Sequence, residues 1–321
     1  MRDRTRRTAT LGTAVLLVAA VALPAAPASA HDPVPPPSAG TRTATVQPTT
    51  LASKGTGLVW FNPGTGVVSL WRVGSDGKVL STVDLKRHCG YADGCANQWR
   101  PVAMMDLNGD GQRDVIWLNT STGVQQAWLI TSTGEVTGTL AVFSLCAGAD
   151  CTTNGPAGVA DVNGDARDDQ YWFDSRLGEL SAWLITGAGG SAGAYFMSQS
   201  CTAGCYGVSR LVGIGDVNGD SHPDALWWNP STGVLTAWLT DMFAYVTSTL
   251  TLSQQCAGTC ATQWRPLGLG DLNRDGRSDV VWWNPTTGTV QAWLLNSTGT
   301  GQNTLTLNKL CGAGWQFVDV M

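Results

Sequence analysis

The sequence predicts an all-β fold: a β-propeller, most simply with five four-stranded blades closed by the C-terminal strand. Two periodic patterns lead to this prediction. An acidic pattern, D-x-N-x-D-x-x-x-D, begins at Asp106, Asp161, Asp216 and Asp271, with a constant spacing of 55 residues. Tryptophan pairs eleven residues apart repeat with it, at Trp60/Trp71, Trp117/Trp128, Trp172/Trp183, Trp227/Trp238 and Trp282/Trp293. A fixed period of this length indicates repeats that share one core.

Each repeat is predicted to contain four short antiparallel strands, the content of one propeller blade. A turn with Pro and Gly, such as residues 229–233, separates the paired tryptophans, which indicates strand, turn, strand. One further strand follows and one precedes the acidic pattern, as in residues 265–270. Consecutive apolar residues, as in 225–228, favour blades that are packed on both faces. We therefore expect the paired tryptophans to form inter-blade core rather than ligand platforms.

The end of the chain is predicted to close the ring. Residues 315–321 match the first-strand segments 99–105 and 264–270, whereas the first unit begins near Gly57 without such a strand. We expect residues 315–321 to complete the first blade and so remove the open sheet edges that promote aggregation. The alternative is that five units belong to a larger ring completed by another chain.

The N-terminal part is predicted to be a targeting segment. Four Arg precede an apolar run at 11–23, and Ala28-Ser29-Ala30 offers a cleavage site, so residues 1–30 resemble a secretory signal. A membrane anchor is the alternative, but the run is shorter than the roughly 18 apolar residues of a spanning helix. Residues 31–50 are rich in Pro and Thr and predict a disordered leader, and 51–321 form the propeller. We expect a secreted, extracellular protein, with the export route left open.

The charge balance limits the partners. Removing residues 1–30, which hold four Arg and one Asp, changes the formal net charge from −5 to −8. An acidic protein is a poor partner for nucleic acid or for anionic membrane surfaces, because both need a concentrated basic patch. No segment after residue 30 is apolar and long enough to span a membrane.

The four acidic loops predict Ca²⁺ sites, about four in number and mainly structural. Side-chain oxygens at positions one, three, five and nine, with a backbone carbonyl at position seven, are the hard ligands that Ca²⁺ prefers. The predicted ligand sets are Asp106, Asn108, Asp110, Gln112 and Asp114; Asp161, Asn163, Asp165, Arg167 and Asp169; Asp216, Asn218, Asp220, His222 and Asp224; and Asp271, Asn273, Asp275, Arg277 and Asp279. In each set the position-seven residue contributes its carbonyl. The alternative is that Asp and Asn here only make turns.

At residues 211–220 and 266–273 the chain resembles the FG-GAP or VCBS repeats of integrin α-subunit propellers and of secreted bacterial proteins. The resemblance covers about residues 57–321. It implies a propeller with Ca²⁺ between the first two strands of a blade, and a role in adhesion or ligand recognition. Two features depart from the family: seven blades are common there but five are counted here, and residues 53–57 replace the acidic loop in the first unit.

The nine cysteines are periodic as well. In an exported protein, pairs within single loops predict local disulfides. The predicted pairs are Cys89–Cys95, Cys146–Cys151, Cys201–Cys205 and Cys256–Cys260, and Cys311 is left over. Zinc binding is the weaker alternative, because one pair per blade does not bring four thiolates together. Cys311 is either free or joins two chains in a dimer.

The residues favour binding over catalysis. No nucleophile motif, His cluster or close pair of Glu is present, so we expect no enzymatic activity. The candidate ligand-binding residues are Trp99, Arg100, Trp264, Arg265 and Trp315, because an aromatic face beside a guanidinium suits a sugar ring. The alternative is that these tryptophans cap the blade core. We expect a secreted Ca²⁺-binding module that recognises carbohydrate or another cell-surface ligand; a protein–protein adhesion module is the first alternative and a secreted hydrolase the second.

Overall fold

Twenty strands in the computed structural model build five four-stranded antiparallel sheets. The structure describes residues 57–85, 98–197, 209–252, 263–307 and 315–320. Residues 47–321 form one compact unit, and residues 1–46 are assigned to a second unit that lies outside the described residues. The predicted signal segment and leader, 1–30 and 31–50, therefore also lie outside them.

The blades follow one another along the chain. Blade 1 holds β1 (Gly57–Asn62), β2 (Val67–Val73) and β3 (Val79–Asp84), together with β20 (Gln316–Val320). Blade 2 holds β4 (Trp99–Met105), β5 (Asp114–Asn119), β6 (Gln125–Ile130) and β7 (Val136–Val142). Blade 3 holds β8 (Asn154–Ala160), β9 (Asp169–Asp174), β10 (Glu179–Ile185) and β11 (Ser191–Phe196). Blade 4 holds β12 (Arg210–Gly215), β13 (Asp224–Trp228), β14 (Leu235–Thr240) and β15 (Val246–Thr251), and blade 5 holds β16 (Arg265–Gly270), β17 (Asp279–Asn284), β18 (Thr289–Leu295) and β19 (Gly301–Leu307).

The C-terminal strand closes the ring within this chain, as the sequence predicted. β20 pairs antiparallel with β1, with Leu58 opposite Val320 and Trp60 opposite Phe317. The first strands of successive blades, β4, β8, β12, β16 and β20, contact one another in turn, and β20 contacts β4. The alternative of a larger ring completed by a second chain is therefore wrong.

Short side-chain motifs set the turns inside each blade. In blade 2, the Asn119 side chain accepts hydrogen bonds from the backbone N–H groups of Ser121 and Thr122, both at 3.0 Å. Gly123 then adopts φ +81°, where a Cβ would meet the carbonyl of Cys146. The sequence Asn-x-x-x-Gly thus forms this turn because Asn caps it and only Gly fits its last position.

The core lies between neighbouring blades. The first members of the tryptophan pairs, Trp60, Trp117, Trp172, Trp227 and Trp282, are all nearly inaccessible to solvent. The Trp227/Trp238 pair, for example, packs against Tyr171 and Leu180 of the preceding blade, and Trp60 packs against Val281. The prediction that the paired tryptophans form inter-blade core is confirmed.

The five first strands surround a central channel of about 900 Å³. All five begin at one end of the channel and run toward the acidic loops at the other end. The sequence Trp-Arg therefore lies at one mouth of the channel, and the acidic pattern lies at the opposite mouth. No helix in the described part of the chain has the length and apolar character to cross a membrane.

Candidate functional site

Each acidic loop joins the first and second strands of a blade, and its first aspartate organises the backbone. Asp106 accepts hydrogen bonds from the N–H groups of Gly109, Asp110 and Gly111, at 2.8, 3.1 and 2.9 Å. Asp161 and Asp216 make the same three contacts one and two repeats later. In the fourth loop Asp271 accepts from the N–H groups of Asp275 and Gly276, so the four loops share one turn that curls around the position-one carboxylate.

The side chains at positions three and five also meet. The amide of Asn108 donates to a carboxylate oxygen of Asp110 at 2.9 Å, and the equivalent pairs lie at 3.4, 2.8 and 3.1 Å. In two loops the position-seven side chain neutralises position five, because Arg167 pairs with Asp165 at 2.7 Å and Arg277 with Asp275 at 3.0 Å. Oxygen atoms from positions one, three and five thus share a small exposed turn.

The position-nine aspartates Asp114, Asp169, Asp224 and Asp279 are fully buried. Asp224, for example, accepts hydrogen bonds from the N–H groups of Val217 at 3.0 Å and Thr240 at 3.0 Å. It thereby ties the loop to the third strand of its blade. Burial raises the pKa of Asp114, Asp224 and Asp279 to about 7 and that of Asp169 to about 6, and the carboxylates at positions five and one raise it further, against the lowering effect of the hydrogen bonds.

The backbone of the loops is held in the left-handed region at positions four and six. Gly occupies most of these positions, but Arg274, Ala166 and Ser221 adopt φ +65°, +66° and +69°. A residue with a Cβ costs roughly 1–2 kcal/mol in this conformation. The loop keeps its shape where the sequence does not favour it, which is typical of backbone that serves a site.

Neighbouring loops are linked through position eight. The N–H of Asp168 donates to the carbonyl of Asp106 at 3.2 Å, and the Asp168 carboxylate accepts from the N–H of Asp106 at 2.8 Å. Ser278 donates in the same way to Asp216 at 2.6 Å. Between the second and third loops position eight is Pro223, which has no N–H to donate.

The donor set of the loops suits a hard cation, since it consists of carboxylate, amide and carbonyl oxygens. Within residues 57–85, 98–197, 209–252, 263–307 and 315–320, no group of three or more His, Cys, Asp or Glu is arranged as a metal site. The backbone N–H groups occupy the position-one carboxylates instead. The predicted ligands fit Ca²⁺ in residue type and in spacing. The loops bring the side chains at positions one, three and five together.

The predicted Trp-Arg residues lie at the opposite mouth of the channel. Trp99, Trp264 and Trp315 are half-buried and pack against three different inter-blade clusters. The adjacent Arg100 and Arg265 are exposed, as expected for neighbours on a strand whose side chains alternate. The tryptophans therefore cap the blade core, with part of each ring accessible, and the arginines carry the accessible polar groups.

Sequence reasoning missed Arg210, which the structure places at the same mouth. Arg210 pairs across the strands with Trp228, the position that corresponds to Leu118 opposite Arg100 and Trp283 opposite Arg265. It was overlooked because Ser209 replaces the tryptophan that marks the other two positions. Counting residues from the acidic pattern, rather than searching for Trp-Arg, would have found it.

One predicted disulfide falls within the described residues, and it is formed: Cys146 is bonded to Cys151. Both residues are buried and pack against Leu118 and Trp172, in the connection between blades 2 and 3. The other predicted pairs, Cys89–Cys95, Cys201–Cys205 and Cys256–Cys260, and the single Cys311 lie outside the described residues.

Comparison with known families locates one repeat. Residues 216–282, from the third acidic loop to the second strand of blade 5, match the family model described as FG-GAP-like repeat. The match spans two of the four acidic loops and the Trp227/Trp238 pair. No curated protein matches the chain.

Solved structures show distant likeness. An Agrocybe aegerita lectin, in a structure described as specific recognition of non-reducing terminal N-acetylglucosamine, is 16% identical, with 83% of this chain and 79% of that chain covered and a TM-score of 0.47. A nidogen/laminin complex is 10% identical, with coverages of 83% and 97% and a TM-score of 0.42. The Photorhabdus luminescens Tc holotoxin pore is 13% identical, with coverages of 75% and 15% and a TM-score of 0.37. At these scores the likenesses say nothing about the ligand of this chain.

Proposed function

We propose that the protein is a secreted, non-enzymatic binding module that recognises a saccharide at the channel mouth where the first strands begin. The observation that carries the proposal is the exposure of Arg100, Arg210 and Arg265 at one shared strand register. Arg100 and Arg210 line the channel, and the half-buried rings of Trp99 and Trp264 lie beside Arg100 and Arg265 in the sequence. A partly accessible aromatic ring can stack on a sugar face, and a guanidinium can donate to its hydroxyl or acidic groups.

The occupation of the acidic side chains supports a non-catalytic role. Outside the loops, Asp174 pairs with Arg176 at 3.0 Å, Asp76 pairs with Lys78 at 2.8 Å, and Asp241 caps a turn. These contacts lower the pKa of Asp76 and Asp174, whereas a general acid needs a pKa nearer the working pH. A hydrolase built on these carboxylates is therefore a weaker proposal.

Calcium is proposed as a structural ligand of the four acidic loops, held by the side chains at positions one, three, five and nine and the carbonyl at position seven. The support is the all-oxygen donor set, the buried position-nine carboxylates and the retained left-handed backbone at Ala166, Ser221 and Arg274. A bound cation would supply the positive charge that offsets three carboxylates in each loop. The Cys146–Cys151 disulfide supports export to an oxidising compartment.

The saccharide proposal is tested by probing the protein against an array of glycans and cell-wall polysaccharides, in millimolar Ca²⁺ and again with chelator. We expect selective signals that Arg265→Ala weakens and that Lys78→Ala leaves unchanged, because Lys78 lies in an exposed turn between β2 and β3 rather than on a first strand. Arg265 is a cleaner target than Trp264, since Trp264 packs against the core. A blank array from folded, calcium-loaded protein would contradict saccharide recognition.

Protein–protein adhesion is a second candidate, and one apolar turn favours it. Met242, Phe243 and Tyr245 in the turn after β14 are 57%, 45% and 51% exposed, and Phe196 of the neighbouring blade is 53% exposed. Ala244 adopts φ +59° in this turn, at the position where the corresponding turns of the other blades have Gly. If the protein adheres through this turn, the double change Phe243→Ser/Tyr245→Ser should abolish binding to cells while Arg265→Ala leaves it intact.

A further inference from the structure

Three arginines share one register at the channel mouth. Arg100, Arg210 and Arg265 each stand at the beginning of a first strand and lie opposite equivalent residues of the second strand. The two remaining blades have Gly155 and Gln316 at this position. We call the three side chains the arginine mouth. Their common register places three positive charges at the same end of the first strands, where Arg100 and Arg210 line the channel.

These charges have no counter-ion in the described part of the chain. Four other described arginines form ion pairs: Arg113 with Asp168, Arg167 with Asp165, Arg176 with Asp174 and Arg277 with Asp275. None of the described acidic side chains forms an ion pair with the arginine mouth, although all three guanidinium groups are exposed. Three exposed cations of common register on an acidic chain, of formal net charge −5, form a local concentration of positive charge that can select an anion.

The acidic residues that line the channel lie at its other end. Asp161, Asp168, Asp271 and Asp319 line it near the acidic loops, whereas Arg100 and Arg210 line it where the first strands begin. An anionic group is therefore attracted to the arginine mouth and repelled from the opposite end. The channel volume of about 900 Å³ is within the range of binding sites for small organic ligands.

The geometry points to an anionic saccharide as the ligand, with its carboxylate or sulfate held by the arginine mouth. This inference rests on the proposed function and adds the charge of the ligand to it. The guanidinium fork matches the two oxygens of a carboxylate or sulfate, and within the described residues no ion pair to these three groups has to break. The half-buried Trp99 and Trp264 offer apolar edges for the sugar ring.

Binding can be measured by calorimetry on the full chain in millimolar Ca²⁺, with probes that differ in charge alone. The probes are trigalacturonate, its neutral methyl ester, a sulfated disaccharide and inorganic sulfate. We expect trigalacturonate or the sulfated disaccharide to bind, the methyl ester to bind at least tenfold more weakly, and affinity to fall with added salt. Inorganic sulfate alone should bind more weakly than the saccharide, because it lacks contacts with the tryptophans.

Variants then locate the site. Arg100→Ala, Arg210→Ala and Arg265→Ala should each weaken binding roughly tenfold, the loss of one charge-assisted hydrogen bond. Arg210→Lys should give an intermediate affinity because it keeps the charge and loses the fork. Lys78→Ala, which changes the net charge equally, should have no effect. Melting temperatures of all variants should match the parent, since none of the three arginines forms an ion pair with a described residue.

The outcomes separate this inference from the proposed function. Equal affinity for the methyl ester, with no effect of the arginine variants, would overturn the anionic ligand and leave saccharide recognition standing. Inorganic sulfate that binds as tightly as the sulfated disaccharide would overturn the saccharide and leave an anion site. If neither charged nor neutral saccharides bind, both proposals fail.

Discussion

The two ends of the first strands carry opposite charge and differ in how regularly they repeat. At the acidic end the pattern recurs in four blades, and the first aspartate accepts from the N–H groups at positions five and six in each, even where Ala166 or Ser221 must adopt a left-handed backbone. At the arginine mouth three of five blades carry the same side chain. Contacts that recur in every acidic loop stabilise each blade separately, whereas the arginines of three blades act together only in the proposed binding.

The largest change in stability is expected from a position-nine aspartate of an acidic loop. Asp224→Ala removes the acceptor of the N–H groups of Val217 and Thr240, which stay buried without a partner. We expect the free energy of unfolding to fall by roughly 2–6 kcal/mol, measured by chemical denaturation with chelator present. Asp220→Ala is the matched control, because its side chain is exposed and should alter the calcium response alone. Equal effects of the two changes would contradict the structural role of position nine.

The stability of the protein is expected to depend on pH through the position-nine aspartates. Burial raises the pKa of Asp114, Asp224 and Asp279 from 3.8 to about 7, so their contribution to stability is complete below pH 4 and is lost as pH rises through 7. Metal-free protein should therefore melt at a higher temperature at pH 5 than at pH 8. Calcium should reverse this slope, because protons then compete with the ion. A calorimetric series with and without chelator checks both signs, and parallel slopes would count against calcium.

At the end of the first strands that carries Trp-Arg, the adjacent Trp264 and Arg265 are expected to differ in their effect on stability. Trp264 packs against the inter-blade core, so Trp264→Ala should lower the free energy of unfolding by roughly 2–3 kcal/mol, less than for a fully buried tryptophan. Arg265→Ala, one residue away, should change it by less than about 0.5 kcal/mol. Denaturation curves of the two variants measure the difference. A large effect of Arg265→Ala would mean that this arginine holds the fold rather than a ligand.

The smallest change in stability is expected when the left-handed backbone strain at Ala166 is removed. Ala166→Gly replaces a residue at φ +66° by one that adopts this conformation freely, and should raise the free energy of unfolding by about 0.5–1 kcal/mol. Gly164→Ala, two residues earlier and at φ +76°, should have the opposite sign. Thermal melts of the two variants provide the measurement. A destabilising Ala166→Gly would indicate that the alanine side chain makes a favourable contact.

Much of the fold was readable from the sequence, because repetition averages out local ambiguity. Four copies of one pattern fixed the blade, and the copy of a first strand at residues 315–321 predicted the ring closure that β20 makes with β1. The positions of Arg113, Asp168 and Asp319 could not be read in this way. Asp319 accepts from the N–H of Met104 at 2.9 Å, and Arg113 lies 3.5 Å from Asp168, so the group joins three blades distant in sequence.

The candidate site was readable in part for a related reason. The acidic loops are local in sequence, so spacing alone placed positions one, three and five together. The arginine mouth arises from strands that follow different connections, and Arg210 stands next to Ser209 rather than Trp. Only the strand register shows that Arg210 is equivalent to Arg100 and Arg265. The apolar turn around Ala244 was visible as a break in the repeat, but its exposure was not.

The pairing of β20 with β1 also orders events in time. Four blades form from contiguous segments, so their hairpins can assemble as soon as each segment is available. Blade 1 is completed later, because Leu58 of β1 pairs with Val320 of β20. The segment between these two residues contains the other four blades, so this pairing closes the longest stretch of chain and has the largest loop-closure entropy cost. During synthesis, the first blade therefore stays incomplete until its last strand emerges. The ring therefore closes last at blade 1, when β20 pairs with β1.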